Sequence, residues 1–175
     1  MKTNLLMMIM AGALLLAGCG GGGGGAKSGK VSGETFSTDN FSVLIPKGWR
    51  AIRATDPFEN GKLREDMVYI NKGAKSDIAI FSTPGVVVLY APNAMTHPPK
   101  SFYDDTADIT PFTAGKYAFE GFSGKFSGKP LIVFWTTNAK EYFQITINAE
   151  IDGKKIALDD ADVQAIIASV TLVEK

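Results

Sequence analysis

Three segments in the second half of the 175-residue chain constrain its fold more than any other feature. Residues 116–123, 131–138 and 141–150 are rich in aromatic and β-branched side chains, and the connections between them, 124–130 and 139–140, are short. Apolar and polar residues alternate along the third segment, so one of its faces belongs to a core and the other is at least partly solvated. The pattern predicts an antiparallel β-meander.

The rest of the domain adds shorter strands and helical segments. We predict extended structure at 34–38, 41–45, 49–54, 67–71, 78–82, 86–90 and 170–173, and a helical turn at 101–106. A helix that either Asp159 or Asp160 can cap runs through Ala168. Its buried stripe follows helical spacing and consists of Val163, Ile166, Ile167 and Val170. The predicted fold class is α+β, an antiparallel sheet flanked by helices.

The amino terminus has the organisation of a secretory leader. Lys2 precedes a 12-residue apolar stretch, residues 5–16. This length suits a signal peptide and falls short of the ~20 residues that span a bilayer. The stretch ends in Leu16-Ala17-Gly18-Cys19.

Those four residues resemble the lipobox of bacterial lipoproteins. The resemblance implies diacylglyceryl transfer to the Cys19 thiol, cleavage between Gly18 and Cys19, and acylation of the new amino terminus. It also implies a location on the bacterial cell envelope, facing the periplasm or the exterior. An Asp directly after the cysteine would resemble an inner-membrane retention signal, but this chain has Gly20 at that position. The glycine favours the outer membrane where the cell has one. The alternative is an uncleaved anchor or an ordinary secretory signal with an incidental cysteine.

A glycine-rich segment separates the leader from the domain. Residues 20–25 are six consecutive glycines, and the polar run that follows continues to Gly33. Ala26 and Val31 are the only apolar side chains there, too few to form a core, and glycine loses the most backbone entropy on ordering. We therefore predict a signal peptide at 1–18, a lipidated cysteine with a flexible tether at 19–33, and one globular domain at 34–175.

Composition excludes several classes of function. The chain has 18 basic and 18 acidic residues with no basic run, which argues against nucleic-acid binding. A single cysteine excludes an intrachain disulfide and a cysteine-cluster zinc site, and a single histidine excludes a histidine-rich metal centre. We predict no cofactor.

A second resemblance concerns the domain itself. Residues 41–49, FSVLIPKGW, and 162–172, DVQAIIASVTL, are similar to the two ends of the PsbP-like family, whose bacterial members include DcrB-like lipoproteins. The resemblance implies an α/β/α sandwich around a central antiparallel sheet. It implies no common active site, because the members are accessory, assembly or binding proteins and the matching positions are structural.

Candidate chemistry is sparse. His97 could act as a general base with Asp104, Asp105 or Asp108 nearby in sequence, but no nucleophile signature accompanies it, and a histidine beside Pro98 fits a surface loop. The same aspartates, or the group of Asp159, Asp160 and Asp162, could offer oxygen ligands to calcium, although neither group has EF-hand spacing. Helix capping explains the second group without a metal.

Two further patterns have structural and functional interpretations. Residues 122–125 and 126–129 repeat Phe-Ser-Gly-Lys, either as hairpin chemistry or as a ligand loop in which Lys125 and Lys129 contact an anion. Trp49 and Trp135 serve the core or line an apolar pocket. Both faces of residues 131–135 are apolar, so the face away from the core needs a helix, a partner or a ligand.

We therefore predict a non-enzymatic, lipid-anchored envelope protein that binds a protein partner or a small ligand. Two alternatives stay open: a carrier of a lipid or apolar ligand, and an envelope hydrolase with an unrecognised carboxylate site. The predicted functional positions are the cleavage pair Gly18 and Cys19, with Cys19 as the lipid attachment; no catalytic, cofactor-binding or metal-ligating residue is predicted.

Overall fold

β-Strands dominate the part of the chain that the structure describes. The computed structural model covers residues 31–56, 58–92 and 97–174, so the predicted leader, lipobox and glycine run lie outside it. The strands are β1 (Gly33–Ser37), β2 (Phe41–Pro46), β3 (Trp49–Ile52), β4 (Met67–Lys72), β5 (Gly85–Tyr90), β6 (Asp104–Asp108), β7 (Phe112–Ala114), β8 (Tyr117–Phe126), β9 (Lys129–Thr136), β10 (Phe143–Asn148), β11 (Glu150–Ile151), β12 (Lys154–Lys155) and β13 (Thr171–Leu172). The helices are α1 (Ala161–Ser169) and three 3-10 helices, Asp77–Phe81, Lys100–Phe102 and Ala139–Glu141.

Eight strands belong to one large antiparallel sheet. Seven follow the order β3-β4-β5-β10-β9-β8-β6, and β7 also pairs with β8. A smaller sheet has the order β1-β2-β13, and β11 pairs with β12. The predicted meander is confirmed, because β8, β9 and β10 are consecutive neighbours. The molecule has a sheet-rich α+β fold.

The inner face of the large sheet holds the main core. Its side chains include Phe119, Phe134, Phe143, Ile145 and Ile147, none more than 1% exposed. The small sheet and α1 cover this face: β2 contributes Phe41, Val43 and Ile45, and the helix contributes Val163, Ile166 and Ile167. The predicted alternation in β10 and the helical stripe are thus confirmed, and β2 likewise buries alternate residues.

The hairpin between β8 and β9 is tighter than predicted. Instead of a loop over 124–130, β8 continues through Phe126 and a turn of two residues, Ser127 and Gly128, joins it to β9. Both turn residues have positive φ, 51° and 74°. This backbone matches the right-handed twist of the paired strands, which lets the ladder extend to Phe126 and Lys129.

Two predicted segments are wrong in type. Residues 78–82 were expected as a strand, but Asp77–Phe81 is a 3-10 helix without a buried residue. No place in the sheet is open to it, because β4 pairs directly with β5 and each has a second neighbour. The predicted turn at 101–106 covers only the short helix Lys100–Phe102, since β6 follows and pairs with β8.

The start of α1 differs in detail from the capping prediction. Asp160 occupies the N-cap position, but its side chain makes no capping hydrogen bond to the helix. Its Oδ2 instead accepts from the Ala157 amide at 3.1 Å, in the turn before the helix. In the first helical turn, Asp162 Oδ2 accepts from Trp49 Nε1 at 3.0 Å, which joins α1 to β3.

None of the helices in residues 31–56, 58–92 and 97–174 has the length and apolar character needed to cross a membrane.

Candidate functional site

The outer face of the large sheet carries a second, smaller cluster of buried side chains. This outer cluster consists of Phe122, Leu131, Val133, Trp135 and Tyr142, with Ala91 and Tyr103 packed against it. Phe122 and Val133 have no exposed surface, and Trp135 is 8% exposed. Both faces of residues 131–135 are therefore buried, and the chain itself supplies the cover that the sequence left open.

Among the described residues that cover this cluster is His97. Its imidazole lies exposed on the surface and stacks on Trp135, with ring centroids 4.3 Å apart and planes 12° from parallel. Its Nδ1 lies 3.2 Å from the hydroxyl oxygen of Tyr142. Further along, Tyr103 meets Phe122 edge-on at 5.1 Å. The expected surface position of His97 is confirmed, and its contacts are aromatic.

Two of the three aspartates near His97 in sequence have other partners, and Asp104 is an exposed residue of β6. Asp105 Oδ2 accepts from Lys125 Nζ at 2.7 Å, and Lys100 Nζ donates to Asp108. Lys125 lowers the pKa of Asp105, so this carboxylate stays ionised at neutral pH. The structure thus does not join His97 to either of these carboxylates as an orienting partner.

A cleft of about 360 Å³ opens beside the outer cluster. Its lining combines apolar and charged groups: Lys100, Asp108, Ile109, Pro111, Glu120, Gly121 and Trp135. Trp135 Nε1 donates to Glu120 Oε1 at 3.0 Å, because Glu120 and Trp135 are direct partners in the β8–β9 ladder. An indole edge flanked by two carboxylates and an ammonium group can bind a small ligand with both an apolar and a polar side.

The phenols of the outer cluster remain neutral in ordinary conditions. Burial raises the pKa of both Tyr103 and Tyr142. The Tyr142 hydroxyl is therefore present as O–H beside His97.

A second cleft, of about 420 Å³, is dominated by ionic groups. Arg64 makes two hydrogen bonds to Asp66, at 2.9 and 2.7 Å, and Arg53 pairs with Glu65. Hydrogen bonding to Arg64 lowers the pKa of Asp66, the opposite of what a general acid requires. These pairs stabilise the connection between β3 and β4, and we assign them that structural role.

The two groups of aspartates considered as calcium ligands do not form a metal site in the described residues. In residues 31–56, 58–92 and 97–174, no three His, Cys, Asp or Glu side chains are arranged to hold a metal ion. As described above, Asp160 and Asp162 bind the Ala157 amide and the Trp49 indole. These two contacts hold the turn that precedes α1 and join the first turn of the helix to β3.

The tandem tetrapeptide occupies two unlike environments. Phe122 is fully buried in the outer cluster, whereas Phe126 is 57% exposed at the hairpin tip. Lys125 pairs with Asp105, and Lys129 begins β9 as an exposed side chain. The hairpin interpretation accounts for both copies.

Both tryptophans pack in hydrophobic clusters, and Trp135 has a second role that the sequence did not indicate. Trp49 lies in the inner core at 8% exposure, while Trp135 also borders the cleft. Sequence reasoning missed Glu120, Tyr103 and Tyr142 as neighbours of Trp135. The available signal for Glu120 was its place two residues before Phe122 in a predicted strand, which puts the two side chains on the same face.

No known protein-family model matches the chain, and no curated protein is significantly similar to it in sequence.

Proposed function

We propose that this chain is a non-enzymatic lipoprotein of the bacterial cell envelope that binds an envelope protein or a small ligand. The observation that carries the location is the sequence Leu16-Ala17-Gly18-Cys19 behind a 12-residue apolar stretch. Acyl chains on Cys19 would hold the domain at the membrane, since two or three chains anchor stably where one does not. No cofactor and no nucleic acid are part of the proposal.

We also propose a PsbP-like domain, at a finer level than the α+β class. Its support is the pair of segments 41–49 and 162–172, which lie in adjoining places in the fold. The first forms β2 and the turn to β3, and the second forms α1 and β13, which pairs with β2. Leu44 donates its amide to Ser169 Oγ at 2.8 Å, so the two segments contact each other directly.

The cleft beside Trp135 is the proposed binding site. It is the place where a buried aromatic side chain, two carboxylates and a lysine meet at the surface of a rigid ladder. The two clefts described above are both lined in part by charged side chains. Such linings suit a polar or amphiphilic ligand better than the lipid cargo of a carrier.

Site-specific crosslinking in intact cells tests this proposal. A photoreactive residue at Asp108 or Glu120 of the full chain should give a reproducible adduct, identified by mass spectrometry. The matched control is the same residue at exposed Lys154 in β12, outside the cleft. For a small ligand, native mass spectrometry of the lipoprotein should show a retained mass that Glu120→Gln removes. Adducts no stronger at the cleft than at Lys154, with no retained mass, would refute the binding site.

A further inference from the structure

The described chain begins at one end of the large sheet, close to the connection between β4 and β5. The Lys47 amide donates to Ser32 O at 2.9 Å, and the Gly73 amide donates to Gly48 O at 2.8 Å. These two bonds place residue 32, where the tether meets the domain, beside the turn between β2 and β3 and the end of β4. We call this the tether end; it includes the 3-10 helix Asp77–Phe81.

Two large apolar side chains project from the tether end. Ile78 is 79% exposed and Phe81 is 74% exposed. The helix that carries them is fixed to β3, because Arg50 binds Asp77 through Nε at 3.0 Å and Nη2 at 2.7 Å. The exposed side chains are thus presented by an attached element, and exposed apolar groups gathered at one place mark an interaction surface.

The tether end also carries three lysines: Lys47 in the turn between β2 and β3, Lys72 at the end of β4, and Lys75 just after it. Lys47, Lys72 and Lys75 are exposed, and none of them forms an ion pair within the described part of the chain. Two carboxylates, Glu34 and Asp77, lie among them, and Asp77 is neutralised by Arg50. The tether end therefore combines exposed apolar groups with a net positive charge, the combination that suits an anionic lipid interface.

The opposite end of the sheet has nearly balanced charge, because Arg53, Lys62 and Arg64 pair with Glu65, Glu59 and Asp66. Phe58, 94% exposed, lies in the connection between β3 and β4. The Phe58 and Glu59 amides both donate to Asp56 Oδ1, and Glu65 and Asp66 line the same cleft. Phe58 is thus an exposed phenylalanine without an excess of positive charge near it, and it provides a matched comparison.

We propose that the tether end docks on the lipid surface that holds the acyl chains. Ile78 and Phe81 enter the interface, and Lys47, Lys72 and Lys75 contact anionic headgroups. The inference rests on the proposed lipidation of Cys19. Only twelve residues separate Cys19 from Ser32, and a chain of that length spans at most about 45 Å even when fully extended. This keeps the effective concentration of the lipid surface high, so a contact too weak to recruit the domain by itself still orients it.

Fluorescence quenching from labelled lipids tests the orientation in the full lipoprotein. Because Cys19 is the sole cysteine and is acylated in the mature protein, Ile78→Cys, Phe81→Cys and Phe58→Cys each introduce one free thiol. Each variant is purified with its lipid, labelled with an environment-sensitive dye, and reconstituted into phosphatidylethanolamine–phosphatidylglycerol vesicles containing nitroxide lipid. We expect severalfold stronger quenching at positions 78 and 81 than at position 58, and its loss in Lys72→Gln/Lys75→Gln variants.

The outcomes separate the docking from the anchor. Vesicle flotation reports whether the protein is anchored. If the protein floats with the vesicles but the dye at positions 78 and 81 is quenched no more than the dye at position 58, the docking is refuted and the lipid anchor is not. If the protein does not float and its amino-terminal peptide carries no lipid mass, the anchor is refuted and the docking with it. Unchanged circular dichroism of the three cysteine variants serves as the folding control.

Discussion

The two faces of the large sheet are both buried around β8 and β9, but they are buried in different ways. The inner face meets regular elements, the small sheet and α1, which form one continuous core with it. The outer cluster meets an irregular segment that contributes His97 and Tyr103. The cleft proposed as the binding site opens on the outer side.

This difference indicates that the inner face mainly stabilises the fold, whereas the outer face also carries the proposed binding site. Regular elements fill the inner face with interdigitating rings and branched chains, which pack as a protein core. The outer cover is shorter and leaves polar groups at its margin, such as Glu120 and Lys100. We expect substitutions inside to act mainly on stability and substitutions outside to act also on binding.

The largest expected effect is that of Phe143→Ala on the inner face. The Phe143 ring is fully buried and lies 5.7 Å from Phe41, 5.1 Å from Tyr90 and 5.4 Å from Tyr117 between centroids. Its removal leaves a cavity between two layers of regular structure, which should lower the free energy of unfolding by about 3–5 kcal/mol. Urea denaturation of the purified protein measures it; a loss under about 1 kcal/mol would contradict the description of this core.

Phe122→Ala in the outer cluster should cost less. Phe122 is also fully buried, but the segment around Tyr103 can move into the vacated space, so we expect a loss of about 2–3 kcal/mol. The matched control is Phe126→Ala, the same position in the second copy of the tetrapeptide, which is 57% exposed and should lose less than about 1 kcal/mol. A cost for Phe122→Ala equal to that of Phe143→Ala would break the comparison between the faces.

The Tyr117→Phe variant tests the comparison between the inner and outer faces at alkaline pH. Burial, and secondarily the nearby Glu141, raises the pKa of this inner phenol. The folded protein therefore keeps a proton that the unfolded chain releases near pH 10, so stability is lost as pH rises above that value. The hydroxyl is buried without a hydrogen bond of ordinary geometry, so Tyr117→Phe should change stability at neutral pH by less than about 1 kcal/mol.

Above pH 10, the Tyr117→Phe variant should lose stability less steeply than the unsubstituted protein. Tyr142→Phe on the outer side provides the comparison, because burial raises the pKa of Tyr142 as well but by a smaller amount. Denaturation midpoints recorded from pH 8 to pH 11 measure both slopes. Identical slopes for the Tyr117→Phe variant and the unsubstituted protein would contradict the buried, neutral phenol.

The smallest effect is expected for Lys125→Gln. The side chain is exposed and pairs with exposed Asp105, and such surface pairs contribute little to stability. The urea midpoint should not change measurably. Partner capture by a Lys125→Gln/Lys129→Gln variant should also be unaltered if the repeat is hairpin chemistry. Lost capture at unchanged stability would restore the ligand-loop interpretation.

The inner face was predictable from sequence, because period-two alternation in β2 and β10 and helical spacing in α1 each report burial on one side. The outer cover was not, since a segment around Pro98 and Pro99 has no periodicity to read. Ile78 and Phe81 were misassigned to a strand because local β propensity does not show that β4 and β5 already pair with each other. The tetrapeptide makes the same point: identical residues are buried in one copy and exposed in the other.

The central claim is that Cys19 anchors the protein to a membrane, and intact mass analysis of the mature protein tests it most directly. We predict an amino-terminal peptide that begins at Cys19 and carries the mass of a diacylglyceryl group and an additional acyl chain. The Cys19→Ser variant should accumulate uncleaved and take up no labelled palmitate. A mature protein with an unmodified Cys19, or a Cys19→Ser variant that is processed and labelled normally, would contradict the account.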